Sequence, residues 1–320
     1  MEVTGRDVGK AAGVSAATVS RVFGRHPGIG AETRERVLAA ARRLGYSPQA
    51  RGGLKTVAVL TPSREMIPLQ AHVDMVLAWL SPLLTERGYR MEIIPGKNVD
   101  LLRTGAHCGA IMLGRSYGGD DWVGRFPMPL VCVNYLGKVG GDVHAVRSDD
   151  DQAMAMAVER LRRSGHRRIA LALLGSVSEG TGALRLAGFR KAMAGAGLAV
   201  EESLVRSICQ ENLFEQLGLL LGKGATALIG SGETLGHRLA YGLHLFRKRV
   251  PEEVSLIAYE WSGVSEYCVP PLTTLCQDVE GLARLAVETL EFRLAGGAPP
   301  SSRLLPCRLI ERESVGPALV

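Results

Sequence analysis

A chain of 320 residues that is 46% hydrophobic and 22% charged is globular in composition and long enough for two or three cores rather than one. No apolar run approaches the roughly 20 residues that a membrane helix needs. The opening Met1-Glu2-Val3-Thr4-Gly5-Arg6 lacks a signal peptide's apolar stretch, so a membrane is excluded as a partner and a cytoplasmic protein is expected. The net charge of +6 sits entirely in the first 55 residues, where ten bases meet four acids, while the rest of the chain carries 28 of each. A basic head on a neutral body is the footprint of contact with a phosphate backbone, although a solvated charged face gives the same pattern.

The predicted elements begin with two short helices around a tight turn. Thr4 N-caps the first, which carries Val8, Ala11 and Ala12 on one face, and Gly13 supplies the turn. Ser15 caps the second, whose Val19, Val22 and Phe23 face the first helix and leave Ser15, Ala16, Ala17, Thr18, Ser20 and Arg21 outward. This is how a helix-turn-helix presents a recognition helix to the major groove. Residues 24–30 read as a loop, and Ala31 to Leu44 as a third helix with Val37, Leu38, Ala41 and Leu44 inward. Gly45 stops that helix and Pro48 forbids its continuation.

After Lys55 short apolar runs alternate with amphipathic helices. Strands are expected at 56–61, 89–95, 109–113, 130–134, 168–174, 204–209, 225–230 and 254–259. Helices are expected at 73–87, 150–164, 184–196, 213–221, 233–247 and 279–294. Continuous apolar strands separated by helices make parallel sheets covered on both faces. Two such units make two lobes, with ligands outside the carboxyl ends of the strands. The six cysteines are scattered without a Cys-x-x-Cys pair, which points to free thiols in a reducing compartment and to no metal. No cofactor is expected.

The run from Val3 to Pro48 resembles the head of LacI-type bacterial transcription regulators. The resemblance rests on Gly13-Val14-Ser15, Thr18-Val19-Ser20-Arg21-Val22, Thr33-Arg34-Glu35-Arg36-Val37 and Leu44-Gly45-Tyr46. It implies that Ala16, Ala17 and Arg21 meet base edges and that Ser15, Thr18 and Ser20 make phosphate and nearby contacts; Arg6 is counted with them. Ala16 and Ala17 can only touch a thymine methyl or leave room for one. Arg21 is then the main discriminating side chain, with a phosphate contact as the plainer alternative. The family's hinge helix wedges a leucine into the minor groove, a place that Leu54 would take. The link here is short, and Gly52-Gly53 costs a helix roughly 2 kcal/mol relative to alanine, so the simpler expectation is that no normal hinge helix forms.

The body resembles the effector-binding half of the same family, which is similar to periplasmic sugar-binding proteins. Arg160-Leu161 with Gly165-His166-Arg167-Arg168-Ile169-Ala170, Arg185-Leu186-Ala187-Gly188-Phe189, Val250 to Ile257, Pro271-Leu272-Thr273-Thr274 and Leu309 to Ser314 carry it. By position the family's ligand contacts fall on Ser63, Arg64, Tyr135, Thr181, Arg185, Glu233 and Glu260. Glu233 and Glu260 stand where aspartates are usual, so the sugar class does not carry over. A salt bridge is the plainer alternative for either acid and for Arg185, and helix capping for Thr181 and Tyr135.

Two other classes of protein share parts of this pattern. Gly230-Ser231-Gly232-Glu233-Thr234-Leu235-Gly236 approaches a dinucleotide-binding fingerprint, but the spacing is Gly-x-Gly-x-x-x-Gly and an acid stands where pyrophosphate would lie. A nucleotide-dependent dehydrogenase is thus the weaker alternative. A ligand-binding protein without a DNA function leaves the basic head unexplained. His166, in its Gly-His-Arg-Arg turn, reads as structural. The expectation is an α/β chain: a three-helix helix-turn-helix head (1–48), a short hinge or linker (49–56), and a two-lobed, periplasmic-binding-protein-like body of parallel sheets flanked by helices (57–320). The expected function is that of a transcription regulator and not an enzyme: a homodimer on a double-stranded operator, a repressor in preference to an activator, controlled by a small-molecule effector such as a sugar or related polar metabolite.

Overall fold

The computed structural model describes residues 3–23, 28–44, 46, 55–62, 71–104, 106–114, 123, 126, 128–137, 139–174, 180–209, 211–232 and 234–319. The head holds α1 (Gly5–Ala12), α2 (Ala16–Phe23) and α3 (Ala31–Leu44). Thr4 is the N-cap of α1, and the Asp7 carboxylate accepts from the Thr4 backbone N–H at 2.9 Å and its hydroxyl at 2.6 Å. Gly13 ends α1 in the left-handed region at φ 65°, a conformation that favours glycine. Val8, Ala12, Val19, Val22, Val37, Ala40 and Ala41 form the head's core. Ala11 is exposed, and Gly9 is buried in its place. A Cβ at Gly9 would stand 2.8 Å from the Val14 carbonyl oxygen, so the close turn into α2 needs a residue without a side chain there.

Beyond the head, β1 (Lys55–Thr61), α4 (Ala71–Glu86), β2 (Tyr89–Pro95), β3 (Gly109–Leu113), β4 (Leu130–Val133) and β5 (Val143–Ser148) follow in order. Next come α5 (Asp150–Arg163), β6 (Ile169–Leu174), α6 (Gly180–Gly195), β7 (Val205–Ile208), α7 (Leu213–Gly222), β8 (Ala227–Ser231), α8 (Leu235–Leu245) and β9 (Ser255–Tyr259). The chain closes with β10 (Thr273–Cys276), α9 (Val279–Leu294), β11 (Ser302–Leu305) and β12 (Arg308–Ile310). Each predicted strand is present. The strands β5, β10, β11 and β12 and a 3-10 segment at Gly96–Thr104 were not predicted, and α8 starts at Leu235 rather than residue 233.

The strands form two six-stranded sheets, ordered β11-β5-β4-β3-β1-β2 and β12-β10-β9-β8-β6-β7. Pairings among β1 to β5 and among β6 to β10 are parallel, and β12 runs antiparallel to β10. The reason is visible in β6. Ile169, Leu171 and Leu173 enter one core with Phe189, Met193 and Leu161, while Ala170 and Ala172 enter another with Leu217, Leu239 and Leu256. Successive side chains of a strand point to opposite faces. A strand covered on both faces therefore reads as an unbroken apolar run, as Ile-Ala-Leu-Ala-Leu-Leu does. The chain divides into one compact unit of residues 1–68, 75–147 and 280–303 and a second of residues 69–74, 148–279 and 304–320.

Candidate functional site

In the head, the outer side of α2 is assembled as the sequence pattern implies. Ser15, Ala16, Ala17, Ser20 and Arg21 are exposed, and Thr18 is half-buried. Ser15 spends its hydroxyl locally. It accepts from the Thr18 backbone N–H at 3.0 Å and lies 2.9 Å from the Thr18 hydroxyl, the N-cap geometry. Arg6, Gly9, Lys10, Gly13, Val14, Ser15 and Ala16 line a shallow open groove at the turn, to which Arg6 and Lys10 bring positive charge. Arg34, counted from sequence on the polar side of the third helix, donates to the Val22 carbonyl at 3.3 Å and so caps the C-terminal end of α2. Leu54 lies outside the described residues, as does most of the linker.

A second polar centre is buried in the second unit, at the carboxyl ends of β8 and β9. Two helices build it. Asp149 caps α5 by accepting from the Gln152 backbone N–H at 3.0 Å, and Asp150 and Asp151 occupy the first turn, where the helix dipole favours acids. Thr181 and Arg185 lie on α6 one turn apart, so they share a face. Gly188 lets α6 close on α5, since a Cβ there would meet Asp151 Oδ1 at 3.0 Å and the Asp150 carbonyl at 3.4 Å. Arg185 consequently reaches Asp150. Its Nε donates to Asp150 Oδ1 at 2.8 Å, and its Nη1 donates to the Ser231 hydroxyl at 3.3 Å. The Tyr259 hydroxyl donates to the same Oδ1 at 2.8 Å, and the Tyr259 ring lies under the guanidinium, 3.8 Å from centroid to Cζ. The Asp150 and Arg185 side chains are 4% and 8% exposed. Burial, with the opposing effect of Arg185 second, raises the Tyr259 phenol well above its ordinary value. Burial and then the Asp150 charge push the neighbouring Cys307 thiol up to about 12.

Of the residues expected from sequence to line an effector site, Arg185 is at this centre and Thr181 sits half-buried in the first turn of α6. Glu260 follows β9 but is held within the lobe: Arg312 Nη1 donates to its Oε2 at 2.9 Å, and the Thr274 hydroxyl donates to the same oxygen. Glu260 and Arg185 are thus each ion-paired within the second unit. Tyr135 follows β4 in the first unit and is buried among Leu60, Met112, Met128 and Cys132. Ser63, Arg64 and Glu233 lie outside the described residues. Sequence reasoning missed Asp150, Ser231, Tyr259, Thr234 and Gln277. Thr234 Oγ1 and Gln277 Nε2, after β8 and β10, are buried polar atoms with no hydrogen-bond partner among the described residues. The signal available for Gln277 and Tyr259 was position alone, at the end of a parallel strand.

The glycines of the supposed dinucleotide fingerprint have packing roles. A Cβ at Gly230 would stand 2.9 Å from Leu239 Cδ1, and one at Gly236 would collide with the Cβ of Ala258. They seat α8 on the sheet. His166 is structural, as expected: its Nε2 lies 3.1 Å from the Gly316 carbonyl and its Nδ1 3.1 Å from the Thr226 hydroxyl. Among the described residues no cluster of His, Cys, Asp and Glu has the arrangement of a metal site, and no helix is long and apolar enough to cross a membrane.

An N-terminal helix-turn-helix with an exposed basic face, followed in the chain by two parallel-sheet lobes, defines a DNA-binding transcription regulator of the bacterial two-lobed class. A family profile described as bacterial regulatory proteins, lacI family, matches residues 4–49, and one described as a periplasmic binding protein-like domain matches residues 158–315. The chain belongs to the LacI family of bacterial transcription regulators. It is 28% identical to the HTH-type transcriptional regulator AscG of Escherichia coli K12, over 97% of each chain. It is 29% identical to the HTH-type transcriptional repressor PurR of Escherichia coli O1:K1, over 97% of this chain and 96% of that one. Among solved structures it resembles a transcriptional regulator CelR–cellobiose complex at 27% identity and TM-score 0.72, covering 98% of this chain and 100% of that one.

Proposed function

We propose that this chain is a homodimeric repressor that reads an operator with α2 and binds a small polar effector at the buried centre of its second lobe. In this reading residues 1–48 are the DNA-binding head, 49–56 the linker and 57–320 the effector-binding and dimerising body. The observation that carries the DNA half is the exposed face of α2. Its outward side chains are Ser15, Ala16, Ala17, Ser20 and Arg21, and Arg21 is the long one among them. Arg21 contacts a base edge, Ala16 and Ala17 face thymine methyls or open space, and Arg6, Ser15, Thr18 and Ser20 lie along the backbone. Leu54 is the linker residue in the family's minor-groove position, although Gly52-Gly53 disfavours the hinge helix that would present it.

The effector half rests on the polar centre at the strand ends, where Arg185 is positioned; Thr234 and Gln277, which follow β8 and β10, also carry buried polar atoms without a hydrogen-bond partner among the described residues. Thr181 and Glu260 belong to the same lobe; Ser63, Arg64, Tyr135 and Glu233 are proposed as effector contacts by family position alone. The relative solved with cellobiose supports a sugar or a related polar metabolite. A dimer follows from the need to meet two half-sites, and it is supported by exposed apolar side chains of the second lobe, Phe214, Tyr241, Leu245 and Phe246.

The test is selection of bound fragments from genomic DNA by the full chain, followed by footprinting. The expected result is a two-fold-related site whose protection responds to a small metabolite. Uniform binding to all fragments, unchanged by any of the regulated pathway's metabolites, overturns the reading.

A further inference from the structure

The helix α2 is eight residues long, about two turns, and Arg21 stands in its last turn. The last four carbonyls of a helix have no partner within it; in α2 they belong to Ser20, Arg21, Val22 and Phe23. Val19 and Val22, each 1% exposed, and the edge-on pair of Phe23 with Tyr46 hold the inner side of this turn. Nothing among the described residues bonds the exposed Arg21 guanidinium, so the direction of its side chain is inherited from the backbone it leaves. Among the described residues one hydrogen bond from outside the helix reaches that backbone. Arg34 Nη1 donates to the Val22 carbonyl at 3.3 Å, across 12 residues of sequence.

Arg34 has no electrostatic reason to stand where it does in its own helix. It is in the first turn of α3, where the dipole favours acids such as Glu32 and disfavours a cation. At the end of α2 the same charge meets the negative pole of the other helix, and an arginine there can hydrogen-bond a terminal carbonyl. Arg34 is half-buried, whereas Arg36, two positions on, is exposed. The residue that is misplaced for α3 therefore stabilises the one turn of α2 that carries the long outward side chain.

We infer that Arg34 is a positioning residue for Arg21: it fixes the last turn of α2 and so sets how sharply the operator is told from other DNA. This rests on the reading of α2 as the recognition helix. Full-length wild type, Arg21→Ala, Arg34→Met and the double variant are titrated by mobility shift against the operator recovered by genomic selection and against a random duplex of the same length. Arg36→Met removes a charge from the exposed side of α3 and is the control for the field of the head. Arg34→Met is expected to weaken operator binding about tenfold more than Arg36→Met does, and to match it on the random duplex. In the Arg21→Ala background the extra loss is expected to vanish, the mark of two residues that act through one contact. Arg34→Lys, which keeps the charge and a donor, is expected to restore most of the discrimination.

An extra loss that is equal on both duplexes makes Arg34 a phosphate contact and overturns the inference. So does an extra loss of the same size with and without Arg21, or none at all. Circular dichroism shows whether the Arg34→Met head is folded; if it is not, the cycle is closed with Arg34→Gln, which keeps a donor on a shorter stem, under the same criteria. An Arg21→Ala loss that is equal on both duplexes overturns the base-reading role of Arg21 and this inference with it. A selective Arg21→Ala loss with an additive Arg34→Met loss overturns this inference alone.

Discussion

Arg21 is the residue on which sequence discrimination turns. Arg21→Ala is expected to weaken operator binding by about 1–3 kcal/mol while sparing most affinity for random DNA. Equal losses on operator and random duplex in a mobility-shift titration would show a phosphate contact instead. Asp150 and Arg185 form a different kind of pair, buried and mutually dependent. Asp150→Ala leaves the guanidinium uncompensated and should lower the stability of the second lobe by about 3–5 kcal/mol, whereas Asp150→Asn should cost clearly less; urea midpoints of the two variants decide.

His166 sets a pH dependence. Burial is the main cause that lowers its pKa below 6.5, and the same holds for His237. The unfolded chain therefore binds protons that the native one refuses. Stability is fully present above the unfolded value and declines as pH falls from about 6.5 through the depressed native pKa. Wild type should show a lower urea midpoint at about pH 5.5 than at about pH 7.5, and His166→Asn should show a smaller difference. An equal difference in both proteins would remove His166 from the account.

At the scale of elements, the legible parts of the chain were those whose burial is regular. The β6 run and the cap, turn and apolar spacing of α1 and α2 can be read locally. The strands β11 and β12 could not be, because they are short and exposed or half-buried, and β10 could not, because Thr273 and Thr274 break a short apolar run. Nor could β5, whose Val-His-Ala-Val-Arg-Ser mixes polar residues into the pattern although most of it is buried. The polar centre was half legible. Arg185 and Thr181 came from a recognisable stretch, but Asp150 meets Arg185 across 35 residues and Arg312 meets Glu260 across 52. No periodicity reports such pairings. Gly236 gives the near-fingerprint its physical reason: its position against Ala258 seats a helix on a strand. Gly236→Ala should overpack that contact and destabilise the lobe by roughly 1–3 kcal/mol, seen as a lower melting temperature. A melting temperature at or above that of wild type would mean that α8 has room to shift.

At the scale of the whole molecule, charge and ligand chemistry fall on different segments. The head holds the net charge, and the second lobe's polar centre is closed into internal pairs. If DNA affinity is the work of the head, log affinity should fall against log salt with a slope near −0.9 for each phosphate neutralised, and Arg6→Ala or Lys10→Ala should each make the slope shallower. A fragment running from Lys55 to Val320 keeps both sheets and the buried pair but discards α1, α2 and α3. It should sediment as a dimer and retain the effector's stabilisation, yet show no salt-dependent binding to duplex DNA. The three readouts separate the parts of the reading. Loss of the dimer alone would move the self-association to the head, and loss of effector stabilisation alone would make the head part of the ligand site. Salt-dependent DNA binding by the fragment would mean that a basic surface of the body, neutral in sum but not in distribution, carries the contact assigned here to α2.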